Sequence, residues 1–174
     1  MDGTIVDTVE LHFQAWYAVL SDENIPITRA SLRASFGQNA VGVVSAHLGR
    51  TPEAGFLAQV IARKERLFQA MVQENPVDLF PGAVEWLETL QARGVKQAVA
   101  SSAPLGNISA IVDKLDLGRF FAALVPGADL PAKPAPDVFL AAARQLNLPP
   151  EDCIVIEDAI AGVAGARRAG MRCI

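Results

Sequence analysis

The stretch CIVIEDAIAGVAGARRAG, residues 153–170, decides how the chain reads. Four apolar residues run straight into two carboxylates, Glu157 and Asp158, and then into a helical pattern that stops at Gly170. A short, uniformly apolar run bounded this way is the pattern of a strand covered on both faces. MRCI (171–174) begins another such strand. The same order recurs upstream. VKQAVA (95–100) stops at SSAP, a helix follows to about Asp116, and AALVP (122–126) leads into the loop GADLPAKPAP (127–136) and the helix DVFLAAARQLNL (137–148). Strands alternating with helices predict a parallel sheet with helical crossovers. The expected fold is α/β: a Rossmann-like parallel sheet with helices on both faces.

Working toward the amino terminus, the pattern changes. PGAVEWLETLQARG (81–94) is a helix with Pro81 at its start and Gly94 at its end. Before it, from Val9 to Gln73, no strand is evident. VELHFQAWYAVLSDEN (9–24) places Leu11, Ala15, Ala18 and Val19 on one helix face. TRASLRASFG (28–37) reads as a short helix ended by Gly37, and NAVGVVSAHLG (39–49) as one ended by Gly49. TPEAGFLAQVIARKERLFQAMVQEN (51–75) is a long helix with Pro52 near its first turn. The expected organisation is an α/β core of residues 1–8 and 77–174, with an all-helical cap, residues 9–76, inserted after the first loop.

The 174 residues are 51% hydrophobic but only 6% aromatic, with a net charge of −4. Few aromatics and an acidic balance argue against nucleic acid as a partner. No apolar run reaches the roughly 18 residues of a membrane span, and no charged-then-apolar signal segment opens the chain. Cys153 and Cys173 sit in apolar runs and read as free thiols of a reducing compartment. A cytoplasmic monomer acting on a small molecule is expected.

Polar clusters stand at the carboxyl ends of the strands, where open parallel sheets bind ligands. The chain opens MDGTIVDT (1–8), with Asp2 before a Gly-Thr turn. Alone, Asp2 is a turn residue or a cap. Ser101 and Ser102 end a strand and precede a helix, a place for an N-cap and equally for an anion. Lys133 is bracketed by prolines 131, 134 and 136, which fix the backbone and aim the ammonium. Glu157 and Asp158 repel each other unless a hard cation such as Mg²⁺ compensates them. Carboxylate, hydroxyl, lysine and paired carboxylates, each after its own strand, make a set suited to phosphoryl transfer.

In MDGTIVDT, VASSAP (99–104), AKPAPDVF (132–139) and VIEDAIAG (155–162) the chain resembles the haloacid dehalogenase superfamily, in its helical-cap branch. DTVELHFQAWYAVL (7–20) is similar to the β-phosphoglucomutase group and its phosphatase relatives. The resemblance implies that Asp2 is the general acid/base, with its carbonyl on Mg²⁺, and that Ser101, Ser102 and Lys133 grip the phosphoryl group. It implies metal ligation by Asp158 with Glu157 beside it, and substrate-facing roles for Thr8, His12, Trp16 and Lys64. Thr8, His12 and Trp16 follow i, i+4 steps on one face, although Trp16 and His12 also suit a helix core. Mutases of this kind carry an Arg after the cap loop, where Asn39 and Ala40 stand here.

The expected activity is a Mg²⁺-dependent phosphatase of small phosphorylated metabolites, sugar phosphates foremost, through an aspartyl-phosphate. The alternatives are a sugar-phosphate mutase and a non-catalytic binding protein. A receiver domain ranks last because it lacks a helical insertion here. The family's nucleophile stands two residues before Asp2, so the resemblance implies a first strand and an Asp upstream of Met1, and further core elements after MRCI. The chain beginning at Met1 is accordingly expected to be poorly soluble and inactive, and upstream extension to restore Mg²⁺-dependent turnover. Assaying both forms on a phosphatase substrate panel checks this. Robust turnover without extension refutes it.

Overall fold

The computed structural model describes residues 1–35 and 38–174. Strand β1 (Val6–Asp7) leads into helices α1 (Val9–Asp22), α2 (Arg29–Ala34), α3 (Ala40–Leu48) and α4 (Ala54–Glu74), and β2 (Asp78–Leu79) follows them. Then come α5 (Ala83–Ala92), β3 (Ala98–Ser101), α6 (Leu105–Lys114), β4 (Ala123–Pro126), α7 (Asp137–Leu146), β5 (Ile154–Val155), α8 (Ile160–Arg168) and β6 (Arg172–Cys173).

Local chemistry explains most boundaries. Thr28 and Ser31 cap α2 reciprocally: the Thr28 hydroxyl accepts from the Ser31 N–H at 3.1 Å, and the Ser31 hydroxyl accepts from the Thr28 N–H at 2.9 Å. The stop expected at Gly37 lies outside the described residues. Asn39 caps α3 by accepting from the Gly42 N–H at 3.1 Å, and Gly49 ends that helix at φ +70°, a left-handed conformation open to glycine. Helix α4 begins after Pro52 rather than around it. Its buried stripe is Val60, Lys64, Phe68 and Val72, an i, i+4 row in which a lysine holds an apolar position. Helix α1 buries a wider face than its sequence pattern indicates, adding Phe13, Trp16 and Leu20.

The expected parallel pairing is present in two pieces. β3 and β4 pair in parallel, with Val99 opposite Leu124 and Ser101 opposite Pro126, and β5 and β6 pair in parallel, with Val155 opposite Cys173. No described strand joins β3 to β5, so the parallel sheet exists as two separate pairs. Ladders need backbones about 4.8 Å apart, and no described strand supplies that spacing between the pairs. A third, antiparallel pair was not legible in the sequence. β1 meets β2, with Val6 opposite Leu79 and Asp7 opposite Asp78, and so closes the base of the helical segment.

The helical segment packs its own core, in which Trp16, Val19 and Leu20 of α1 meet Val44 of α3 and Val60 of α4. A second cluster joins that segment to the α/β part. Leu11, Ala15, Phe68 and Val72 pack there with Val6, Val77 and Ile111 of α6. Phe68 is fully buried at this junction and stacks on His12 with ring centroids 4.1 Å apart. Phe68→Ala should destabilise the protein by about 3–5 kcal/mol, through lost transfer energy and an unfilled cavity. Thermal or denaturant melting checks this, with Phe68→Leu expected to lose less.

Candidate functional site

Thr8, at the entrance to α1, donates its hydroxyl to Asp2 Oδ1 at 2.6 Å, and His12 Nε2, one turn on, stands 3.6 Å from the same oxygen. Burial pushes the Asp2 carboxyl up. His12 and the Thr8 hydroxyl oppose that push and hold Asp2 well below the usual carboxylate range. Burial, and then the charge of Lys64, push His12 below the ordinary histidine value, against the pull of Asp2. Asp2 is thus biased toward its carboxylate form, and His12 toward its neutral form. Thr8 is buried by this contact.

Ser101 ends β3, and its buried hydroxyl accepts from the Ala103 N–H at 3.2 Å, just before α6 begins. Gly127 follows the neighbouring strand, where an added Cβ would lie 2.8 Å from the Ser101 carbonyl oxygen. Lys133 is 8% exposed and donates to Glu157 Oε2 at 2.8 Å, while Glu157 Oε1 accepts from the Ala159 N–H at 3.3 Å. The proline-bracketed lysine is therefore aimed at the end of β5, and Glu157 is committed to holding it. Gly3, at φ +74°, lies so close to Asp158 that a Cβ would stand 2.2 Å from Oδ2. Two segments far apart in sequence meet at that contact.

Across the cavity, Lys64 is buried with its ammonium over the rings of Phe68 at 4.9 Å and Trp16 at 5.2 Å. Burial lowers its pKa, opposed by its contacts with Glu65 and the charge of Asp2. Glu65 Oε2 lies 3.2 Å from the Lys64 ammonium and also accepts from the Asn107 amide of α6. Asn107 is 1% exposed, and its own carbonyl accepts from Gln69 at 3.0 Å.

Asp2, Thr8, His12, Trp16, Lys64, Ser101, Ser102, Lys133, Glu157 and Asp158 all line one cavity of about 420 Å³. Every residue singled out in the sequence is therefore brought to one place. Glu65, Asn107 and Asp129 line it too and were missed. A polar pair at Lys64–Glu65 on an apolar helix stripe was the available signal for Glu65. For Asn107, the signal was an amide among the apolar residues of α6.

The lining carries five carboxylates, on Asp2, Glu65, Asp129, Glu157 and Asp158, against the two lysines Lys64 and Lys133. A phosphate dianion bound there needs added positive charge. Among the described residues no three His, Cys, Asp or Glu gather closely enough to cage an ion. Mg²⁺ does not require a cage, since it takes one or two carboxylates and keeps waters and phosphate oxygens. Asp158 is exposed to the cavity and accepts no hydrogen bond from a described residue. The donor set fits such an ion.

An added Cβ at Gly162 of α8 would stand 2.1 Å from the Glu157 carboxyl carbon. Gly→Ala inside a helix ordinarily gains roughly 0.5–1 kcal/mol. Gly162→Ala should instead lower the melting temperature and weaken phosphate binding, by pushing Glu157 off Lys133. Gly55→Ala in α4, whose Cβ would meet no atom within 4 Å, is the control and should not destabilise.

Residues 1–170 match the family described as haloacid dehalogenase-like hydrolase. CbbY of Rhodobacter capsulatus is 29% identical over all of this chain and 81% of its own length. The β-phosphoglucomutase of Bacillus subtilis is 33% identical over 98% of this chain and 78% of its own. Among solved structures, a CbbY mutant from Rhodobacter sphaeroides, in complex with xylulose-1,5-bisphosphate, matches with a TM-score of 0.89 and 25% identity, over 99% of this chain and 81% of that one. Among the described residues no helix is long and apolar enough to cross a membrane. The fold, the meeting of Gly3 with Asp158 and a family match over nearly the whole length agree: this chain belongs to the haloacid dehalogenase-like hydrolases.

Proposed function

We propose that the protein is a Mg²⁺-dependent phosphomonoesterase for small phosphorylated metabolites, sugar phosphates foremost. The observation that carries this reading is the convergence of Asp2, Ser101, Lys133 and Asp158 on one cavity. The relatives named for phosphorylated sugars support the substrate class. All of these residues come from one chain, which supports a monomeric catalytic unit.

The Ser101 hydroxyl and the N–H groups leading into α6 bind phosphoryl oxygens, and Ser102 lies beside them. Lys133, oriented by Glu157, balances their charge. Asp158, with the Asp2 carbonyl, would hold Mg²⁺, which supplies further charge stabilisation to the phosphoryl group. The phosphoryl group passes to the aspartate nucleophile that the resemblance implies and then to water, and Asp2 moves the proton, to the leaving ester oxygen in the first step and from water in the second. As a carboxylate Asp2 is ready to accept one, and its contacts with Thr8 and His12 must loosen before it donates one to a leaving group. The helical segment shuts the cavity from bulk water through Trp16 and Lys64.

A mutase must also seat a second phosphate. The basic residues lining the cavity, among those described, are His12, Lys64 and Lys133. Glu65 engages Lys64 and Glu157 engages Lys133, and Asn39, where the Arg was sought, caps α3. This favours hydrolysis over transfer between sugar hydroxyls.

The test is phosphate release from a panel of phosphomonoesters, with Mg²⁺ and with chelator, by the full protein. Asp2→Asn should lower kcat roughly 10²–10⁴-fold. Lys133→Ala should reduce both affinity and rate. Asp158→Asn should raise the Mg²⁺ concentration needed and nearly abolish turnover. An unchanged Mg²⁺ response in that variant would sink the metal assignment, and bisphosphate-dependent turnover of a hexose 1-phosphate would overturn the choice of hydrolysis.

A further inference from the structure

Glu65 has no part in the mechanism above, yet it stands in the wall of the same cavity with its orientation fixed from both sides. Gln69 donates to the Asn107 carbonyl, Asn107 donates to Glu65 Oε2, and Lys64 lies 3.2–3.3 Å from the two carboxylate oxygens. Asn107 is almost wholly buried, so its amide cannot swing away to solvent. The helical segment supplies Glu65 and Gln69, and α6 of the α/β part supplies Asn107. The carboxylate is therefore held at the junction of the two, in the lining of the same cavity as Ser101 and Lys133.

A carboxylate accepts hydrogen bonds at about four positions and donates none. Asn107 and Lys64 occupy some of them, and acceptor capacity remains toward the cavity. Among the described residues, the rest of the helical segment's lining, apart from the groups already named, is uncharged: Leu32, Val41, Val43 and Ile61 are apolar, and Ser35 and Gln38 are neutral. Such a wall welcomes hydroxyl donors on a largely carbon body. It disfavours a second anion, which would lose water beside Glu65 when Lys64, the lysine in that wall among the described residues, is already paired with that carboxylate.

We propose that Glu65 is a specificity-determining residue. It accepts hydrogen bonds from hydroxyls of the leaving group and rejects substrates with a second phosphate or carboxylate, so the preferred substrate is a polyhydroxylated monophosphate. This rests on the phosphomonoesterase reading and gives its site a substrate class.

The experiment compares kcat/KM for a hexose 6-phosphate, its single-deoxy analogues, an aryl phosphate and a hexose 1,6-bisphosphate, in the wild-type protein and in Glu65→Gln. In the wild type at least one deoxy analogue should fall roughly tenfold or more, the value of one hydrogen bond to a charged group. Glu65→Gln should lose a similar factor on the parent sugar phosphate relative to the aryl phosphate, become insensitive to that hydroxyl's removal, and discriminate less against the bisphosphate. Equal losses on all four ester types, or a wild type indifferent to every hydroxyl deletion, would overturn the proposal. Should Glu65→Gln not fold, the wild-type deoxy series with Glu65→Asp decides the matter. If the protein hydrolyses no ester, the phosphomonoesterase reading fails. Calorimetric affinities of the same sugar phosphates then judge Glu65, with equal affinity for parent and deoxy forms counting against it.

Discussion

The ion pair between Lys133 and Glu157 is the contact on which the site depends. It spans 2.8 Å, and both side chains are less than 10% exposed. No described strand joins the β3–β4 pair to the β5–β6 pair. Lys133 lies between β4 and α7, and Glu157 follows β5, so the pair ties the two strand pairs together above the apolar cluster of Val125, Val138, Phe139, Ala166 and Met171 that they share. Removing one member of such a pair leaves a buried charge uncompensated, at a cost of about 3–5 kcal/mol. The pair also decides where chemistry is placed. With Glu157 engaged, Asp158 is the carboxylate left open to the cavity, and the lysine is fixed rather than solvated.

Charge then organises the rest of the cavity. Carboxylates exceed lysines in the lining, which by itself would repel a phosphate ester. The proposed phosphomonoesterase reading answers this with a hard cation at Asp158 and with Lys133 beside the transferring group. Asp2 is a separate case. Its contacts with Thr8 and His12 stabilise the ionised form, and both partners lie at the start of α1. The first turns of the helical segment therefore set the protonation state of a residue in the α/β part. Any movement of that segment changes the acid–base character of Asp2 directly.

Helix α4 shows how one element serves packing and recognition together. Val60, Phe68 and Val72 bury an apolar stripe, and Lys64 occupies the remaining place in the row. Its ammonium is tolerated there because two aromatic faces and Glu65 replace water. Glu65 in turn is held by Asn107. A lysine, a glutamate and an asparagine so fix one another across the junction, and the apolar contacts of Phe68 with Val6 and Ile111 hold the surrounding helices together.

The sequence by itself determined much about this protein, because the relevant signals are local. Apolar runs and helical periods placed the strands and helices within a few residues. Turn chemistry located the ends at Gly49 and Gly94. Polar residues at or just past strand ends marked Ser101, Glu157 and Asp158, and polar residues in loops, an Asp-Gly turn and a proline-bracketed lysine, marked Asp2 and Lys133. Tertiary structure decided what depends on residues distant in the chain. The antiparallel meeting of Val6–Asp7 with Asp78–Leu79 is two residues long and carries no period to read. The bond from Asn107 to Glu65 spans 42 positions. The bias of Asp2 toward its carboxylate form follows from burial set against its contacts with His12 and Thr8, and the commitment of Glu157 to Lys133 follows from packing across two strand pairs. Hydrogen bonds and charge act over a few ångströms of space, whatever the separation along the chain, so these choices became visible only once the chain was folded.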